Sequence, residues 1–257
     1  MKRNLLITND DGYQSDGIRA LVRAFKPIAN IILVAPLEER SCSSHSITSR
    51  QTLKVKEVQV DGISGLAVDG TPADTVILGL NLFSKAPVHF VISGINRGPN
   101  LGFDVFYSGT VGAAMEAAMS GIPAMAVSLS IQEKLNYEVA AETALDIFLH
   151  FEETLSRQKN LVLNVNIPDV AHSRELNGWK ITELADRFYF TKVQKTTQND
   201  EFQEYVFIEE KRQVEYQSSS DYWSVVNSEV SITPLRPNLT DWLIKNELVE
   251  VLSGKHS

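Results

Sequence analysis

The spacing of apolar residues changes period several times along this chain, and each change marks an element. Leu5-Leu6-Ile7-Thr8 is a short apolar run, Asn9-Asp10-Asp11-Gly12 interrupts it, and Ile18, Leu21, Val22 and Phe25 then recur at helical spacing. That order predicts a strand, a polar loop and an amphipathic helix. Ile31-Ile32-Leu33-Val34-Ala35 is continuously apolar and ends at Pro36, as suits a strand buried on both faces of a parallel sheet. Leu53-Lys54-Val55-Lys56 alternates like a half-exposed strand, and Leu66-Ala67-Val68 makes another short one. After the turn Asp69-Gly70-Thr71-Pro72, Pro72 fits a first helical position with Thr71 as its N-cap, followed by an apolar stripe of Val76, Ile77 and Leu80.

Val88-His89-Phe90-Val91-Ile92-Ser93 predicts a second buried strand, running into a glycine-rich loop over 94–109. Ala113, Ala114, Ala117 and Ala118 then give a helix whose small side chains let it lie close to a sheet. Ala124-Met125-Ala126-Val127-Ser128-Leu129 and Leu161-Val162-Leu163-Asn164-Val165-Asn166 are further strands, with a helix over 139–155 between them. Alternation of this kind predicts an α/β fold: a doubly wound, mostly parallel, Rossmann-like sheet with right-handed crossovers, here filling a core over 1–170. The remainder, 171–257, is expected to be an arm that makes subunit contacts. Phe188-Tyr189-Phe190 and Glu204-Tyr205-Val206-Phe207-Ile208 predict β-hairpins, Ile232-Thr233-Pro234-Leu235 a returning strand, and 240–252 a terminal helix capped by Thr240.

Composition narrows the class. With 257 residues, 43% hydrophobic and 22% charged, the chain has the make-up of a packed globular protein with one core and an appendage. Its 24 basic and 32 acidic residues leave a net charge of -8, which argues against nucleic-acid polymers or anionic membranes as partners. An anionic substrate would then need a local cation or well-aimed backbone N–H groups. The apolar run near the N-terminus is far shorter than a signal peptide, no segment is apolar enough to span a bilayer, and Cys42 has no second cysteine to pair with. The expected compartment is the cytoplasm.

Ligands of parallel sheets bind outside the carboxyl ends of the strands, and three polar loops follow predicted strands there: 9–12, 38–46 and 94–110. Asp10 and Asp11 put two hard oxygen donors on consecutive residues, with Gly12 allowing a tight turn beside them, as a magnesium or manganese site requires. Alone, the two aspartates would serve equally well to cap the next helix. Ser41 and Asn96, in the other two loops, tilt the balance toward a metal. Ser108-Gly109-Thr110 opens the small-residue helix, where hydroxyls and free N–H groups could hold a phosphate; a plain N-cap is the simpler alternative. Asn100 and Asp104 could orient ligand or loop. Familiar alternatives fail on spacing: there is no G-x-x-x-x-G-K-[ST], no G-x-G-x-x-G after the first strand and no G-x-S-x-G. Seven residues separate Cys42 from Arg50, where a cysteine-phosphatase loop needs five. His45, His89, His150, His172 and His256 lack metal-ligand spacing.

Thr8-Asn9-Asp10-Asp11-Gly12, Arg40-Ser41, Ser46-Ile47-Thr48, Asp69-Gly70-Thr71-Pro72-Ala73-Asp74, Ser93-Gly94-Ile95-Asn96 with Gly98-Pro99-Asn100-Leu101-Gly102, Tyr107-Ser108-Gly109-Thr110-Val111 and Ser231-Ile232-Thr233-Pro234-Leu235 are together highly specific. Over nearly its whole length the chain resembles the SurE survival-protein family of 5'/3'-nucleotidases. The resemblance implies hydrolysis of nucleoside 5'- and 3'-monophosphates, in some members also of short polyphosphate. It implies one divalent ion per subunit, Mg²⁺ or Mn²⁺, on Asp10, Asp11, Ser41 and Asn96, with Asp10 and Asp11 catalytic. It also implies a phosphate pocket of Asn9, Ser108, Gly109 and Thr110, and a homodimer or homotetramer built through a swapped C-terminal arm. Cys42 stands where the family usually has glycine, Ala117 where glycine usually follows Glu116, and Ser220-Asp221 where Thr-Asp is more usual. The competing expectations are a nucleotide sensor without hydrolysis and a phosphatase of another small phosphate ester.

Overall fold

Why the chain folds as it does follows from the two faces of its central strands. The computed structural model describes residues 2–82, 87–130, 134–186, 190–198, 203–210 and 216–253. In order these form β1 (Arg3–Thr8), α1 (Asp16–Phe25), β2 (Ala29–Pro36), β3 (Val55–Val60), β4 (Ile63–Val68), α2 (Pro72–Leu82), β5 (Phe90–Arg97), α3 (Gly109–Met119), β6 (Ala124–Ser130), α4 (Tyr137–Ser156) and β7 (Val162–Pro168). β8 (Trp179–Ile181), β9 (Phe190–Gln198), β10 (Gln203–Glu210), α5 (Asp221–Val226), β11 (Val230–Leu235) and α6 (Trp242–Leu252) complete them.

The sheet has nine strands in the order β3-β4-β2-β1-β5-β6-β7-β11-β8. From β4 to β7 every neighbouring pair is parallel, while β3 on β4 and β11 on β7 are antiparallel. Leu5, Leu6 and Ile7 in β1 are all fully buried, because helices cover both faces. On one face α1 and α4 pack Ile18, Leu21, Phe25, Ile147 and Phe148 against Leu5, Ile7 and Ile92. Phe148 meets Phe25 and Phe90 edge-on, with ring centroids 5.6 and 5.1 Å apart. On the other face Val76 of α2 and Val111, Ala114 and Ala118 of α3 cover Leu6, Val34 and Val91. The small-residue stripe therefore does what its sequence predicted: it brings α3 close to the strands.

Connectivity locates the crevice. From β1 the chain moves outward to β2 and β4, then crosses back to β5 on the other side of β1 and continues to β6 and β7. The direction reverses around β1, and the loops after β1, β2 and β5 open at that reversal, where open α/β sheets bind ligands.

Several boundaries differ from the sequence expectations. β5 extends through Gly94 to Arg97, so the loop expected from residue 94 starts later, and a 3-10 turn occupies Gly102–Phe106. The half-exposed strand expected at Leu53–Lys56 begins at Val55 and runs to Val60. The N-cap of α6 is Asp241, which accepts from the N–H groups of Leu243 and Ile244, and not Thr240; a carboxylate at the positive helix end outcompetes the hydroxyl before it. The stretch expected to be β-rich also holds α5, whose six residues are too short a run to show a helical period, and three-residue β8 was too short to announce itself. Phe188 and Tyr189 lie outside the described residues. β9 and β10 form the expected antiparallel hairpin as a separate two-stranded sheet. It exposes Val193, Tyr205, Val206, Phe207 and Ile208, and α6 buries none of its residues, exposing Trp242, Leu243 and Ile244 among others. No helix among the described residues is long and apolar enough to cross a membrane.

Candidate metal and phosphate site

The loop after β1 is built by its own side chains. Asn9 is fully buried, and its Nδ2 donates to the Gly12 carbonyl and to Ser15 Oγ, both at 2.8 Å. Ser15 in turn caps α1 by accepting from the Ile18 N–H. The turn is completed by Gly12 at φ +89, where a Cβ would stand 3.2 Å from the Glu38 carbonyl carbon. Asn9 thus ties strand, turn and helix together, and its Oδ1 is left buried without a partner.

Asp10 is 4% exposed and held from the start of α3. Its Oδ1 accepts a short hydrogen bond from the Thr110 hydroxyl and its Oδ2 accepts the Thr110 N–H at 3.1 Å. Burial pushes its carboxyl above the ordinary range, and the Thr110 bonds pull it back down. Asp11 Oδ2 accepts the Arg97 N–H at 3.0 Å, which joins the β1 loop to the end of β5. Burial, with the charge of Asp10 beside it, pushes Asp11 up from 3.8 to about 6. Neither aspartate forms an ion pair among the described residues. Two adjacent carboxylates, one buried and one half-buried and neither in an ion pair, are a donor set that a divalent cation would neutralise.

The second loop docks on both neighbours. Arg40 N–H donates to the Asp10 carbonyl at 2.7 Å, while its side chain pairs with Asp69 at 2.7 Å. Further along, Ser44 N–H donates to the Tyr107 carbonyl and Ser44 Oγ to the Phe106 carbonyl, at 2.9 and 2.6 Å. His45 Nε2 lies 2.8 Å from Glu116 Oε2 on α3. Thr48 donates its N–H and hydroxyl to buried Asp74, which also accepts the Thr71 N–H while Thr71 Oγ1 accepts that of Asp74, so the expected cap at Thr71 is a reciprocal one. Between these anchors lies Ser41, whose hydroxyl donates to Glu39 Oε1 at 2.5 Å. Cys42 holds φ +55, the left-handed region that favours glycine, so a bulkier residue stands at a position shaped for one.

Asn96, near the end of β5, donates Nδ2 to the Gly98 carbonyl at 2.8 Å, so Oδ1 is the amide atom that could serve a cation. Ser108 caps α3 by accepting the Val111 N–H, and its own proton remains available to an anion. Gly109 follows at the first helical position, where a Cβ would fall 2.6 Å from Ser43 Oγ and 2.9 Å from the Asp10 Cβ. The helix start is therefore pressed against both the aspartate turn and the serine loop.

Sequence reasoning put Thr110 in the phosphate pocket, whereas both of its donors lie on the Asp10 carboxylate. Asn9 likewise has both amide hydrogens engaged inside its loop. Asn100 serves the loop, as considered: its N–H donates to Asn166 Oδ1, its Nδ2 to Ser128 Oγ, and its carbonyl accepts from Asn164 and Asn166. Glu39 and Asp221 were not anticipated. Asp221, fully buried, accepts the N–H groups of Gly102, Ala185 and Tyr222 and so ties the loop after β5 to the base of the arm. Nothing in its local sequence announces a partner 119 positions away.

Comparison with known proteins identifies the family and the fold. A family model described as "Survival protein SurE" matches residues 5–191. A protein named 5'-nucleotidase SurE from Heliobacterium modesticaldum is 40% identical over 257 residues, spanning 98% of this chain and 93% of its own. One of the same name from Kosmotoga olearia is 38% identical over 252 residues, spanning 98% and 99%. The crystal structure of the SurE protein from Aquifex aeolicus superposes with a TM-score of 0.82 at 36% identity, spanning 97% of this chain and 99% of that one.

Proposed function

Because the chain belongs to the SurE family, we propose that it is a metal-dependent nucleotidase that hydrolyses nucleoside 5'- and 3'-monophosphates to nucleoside and phosphate. The observation that carries the reading is the adjacent pair Asp10, buried, and Asp11, half-buried, with no ion pair to either among the described residues, at the reversal point of the sheet, where Ser41 lies in the loop after β2 and Asn96 near the end of β5. These four residues would hold one Mg²⁺ or Mn²⁺. When bound, such an ion supplies positive charge to the phosphoryl oxygens and offsets the charge that develops during transfer.

The chain's own groups do the rest. The Ser108 hydroxyl and the Gly109 N–H, at the positive end of α3, bind the phosphate oxygens. Thr110 keeps the Asp10 carboxylate aimed, Asn9 keeps the turn closed, and the Arg97 N–H fixes Asp11. A water attacks phosphorus: its oxygen forms the new P–O bond as the bond to the bridging oxygen breaks, one of its protons ends on that oxygen of the departing nucleoside, and phosphate stays on the helix end. Asp10 and Asp11 are the residues on which turnover depends. The exposed apolar surfaces of the β9–β10 hairpin and α6 favour a homodimer or homotetramer joined through the C-terminal arm.

Phosphate release from a panel of nucleoside monophosphates, with EDTA and then with Mg²⁺ or Mn²⁺ restored, tests the proposal. Metal-dependent release is expected in the wild type and its near-complete loss in Asp10→Asn and Asp11→Asn. Nucleotide binding with no release under any metal would turn the reading toward a sensor. Faster release from sugar phosphates than from nucleotides would turn it toward another ester.

A further inference from the structure

We propose that Glu39 is the outer carboxylate of this metal centre: a positioning residue that accepts the Ser41 hydroxyl proton in a hydrogen bond and turns the Ser41 oxygen lone pairs toward the cation. The inference rests on the metal-dependent reading above and adds a residue outside its four ligands.

A neutral serine hydroxyl is a weak donor to a hard cation, and it rotates freely. With its proton engaged by a carboxylate, its oxygen becomes more negative and keeps one orientation, as outer carboxylates do for other metal ligands. Ser41 Oγ donates to Glu39 Oε1 at 2.5 Å. The segment carrying both residues is fixed to the aspartate turn by backbone contacts: Arg40 N–H to the Asp10 carbonyl at 2.7 Å and Tyr13 N–H to the Pro36 carbonyl at 2.9 Å. Gly12, at φ +89, lets the two backbones meet, since a Cβ there would stand 3.2 Å from the Glu38 carbonyl carbon, next to Glu39. Arg40, the adjacent cation, is turned away onto Asp69. Glu39 itself forms no ion pair among the described residues. Its charge is one of the smaller influences that push the Asp10 and Asp11 carboxyls up, behind burial, so it lies near enough to act on both.

The test is Mn²⁺ binding by titration calorimetry to the full-length, EDTA-stripped protein, comparing wild type with Glu39→Ala, Glu39→Gln and Glu38→Gln. Glu39→Ala is expected to raise the Kd about tenfold or more, within the range of outer-shell carboxylates. Glu39→Gln should raise it less, because the amide oxygen still accepts from Ser41. Glu38→Gln removes the same charge from the neighbouring exposed position and should bind like wild type. Wild-type affinity in Glu39→Ala, or an equal loss in Glu38→Gln, overturns the proposal and leaves the nucleotidase reading standing. A wild type with neither Mn²⁺ binding nor metal-dependent release removes both.

Discussion

Thr110 is one residue with two jobs on a single carboxylate, and it shows how the site depends on individual donors. Asp10 is buried, and its charge is kept tolerable by the Thr110 hydroxyl and N–H. Thr110→Val keeps the shape and the N–H but removes the hydroxyl, and should lower kcat/KM about 10–100-fold, as lost orientation of a metal ligand does; steady-state kinetics at saturating metal checks this. Asp11 carries the pH prediction. Its folded-state value of about 6 lies above its ordinary 3.8, so in the metal-free protein the group favours folding below pH 4, and that contribution is lost as pH rises through 6. Metal must bind the deprotonated form, so the rise in Tm on adding Mn²⁺ should be largest above pH 6 and shrink as pH falls below it; thermal melts with and without metal from pH 7.5 to 5 report it. Asp10 and Asp11 were legible as candidates only in company with Ser41 and Asn96, because two aspartates before a glycine serve equally well to cap a helix. The partner of each was not, since Thr110 and Arg97 lie 100 and 86 positions away.

Between elements, the contact that most constrains the site is the docking of the loop after β2 on α3. Glycine makes it possible: at Gly112 a Cβ would stand 2.6 Å from the Ser44 carbonyl oxygen and 3.0 Å from the His45 Cα. Because those are backbone atoms of a loop also held by Ser44 on Phe106 and Tyr107, the neighbour cannot give way cheaply. Gly112→Ala should therefore cost about 1–3 kcal/mol of stability, the range of overpacked sites, and should raise the metal Kd by moving Ser41; denaturant titration and metal binding measure the two effects separately. Helix periodicity showed that α3 exists and that its alanines face the sheet. It said nothing about the opposite side of the helix, where Gly112 and Glu116 receive a loop from more than sixty residues earlier.

For the whole molecule, the arrangement separates a buried catalytic sheet from an exposed arm. Phe207 in β10 is 76% exposed and Leu243 in α6 is 79% exposed, a level of apolar exposure that a second copy of the chain would cover. Light scattering coupled to size exclusion is expected to find a dimer or tetramer, and Phe207→Glu with Leu243→Glu to shift it toward smaller species; a wild-type monomer across micromolar concentrations would refute the assembly. Asp221 links this arm to the loop after β5 through Gly102, so the two parts are mechanically joined. The alternation of buried strands and amphipathic helices, and with it a doubly wound parallel sheet, could be inferred from local pattern, because burial on two faces leaves continuous apolar runs and helix packing leaves a 3.6-residue period. The polar loops at the strand ends could be inferred as well, since glycine, aspartate and asparagine mark turns by their own backbone chemistry. Which donors meet which acceptors across the fold was decided by tertiary structure alone: Thr110 on Asp10, the Arg97 N–H on Asp11 and the Gly102 N–H on Asp221 are set by strand order and loop docking, and a hydrogen bond between distant segments leaves no period in the chain that makes it.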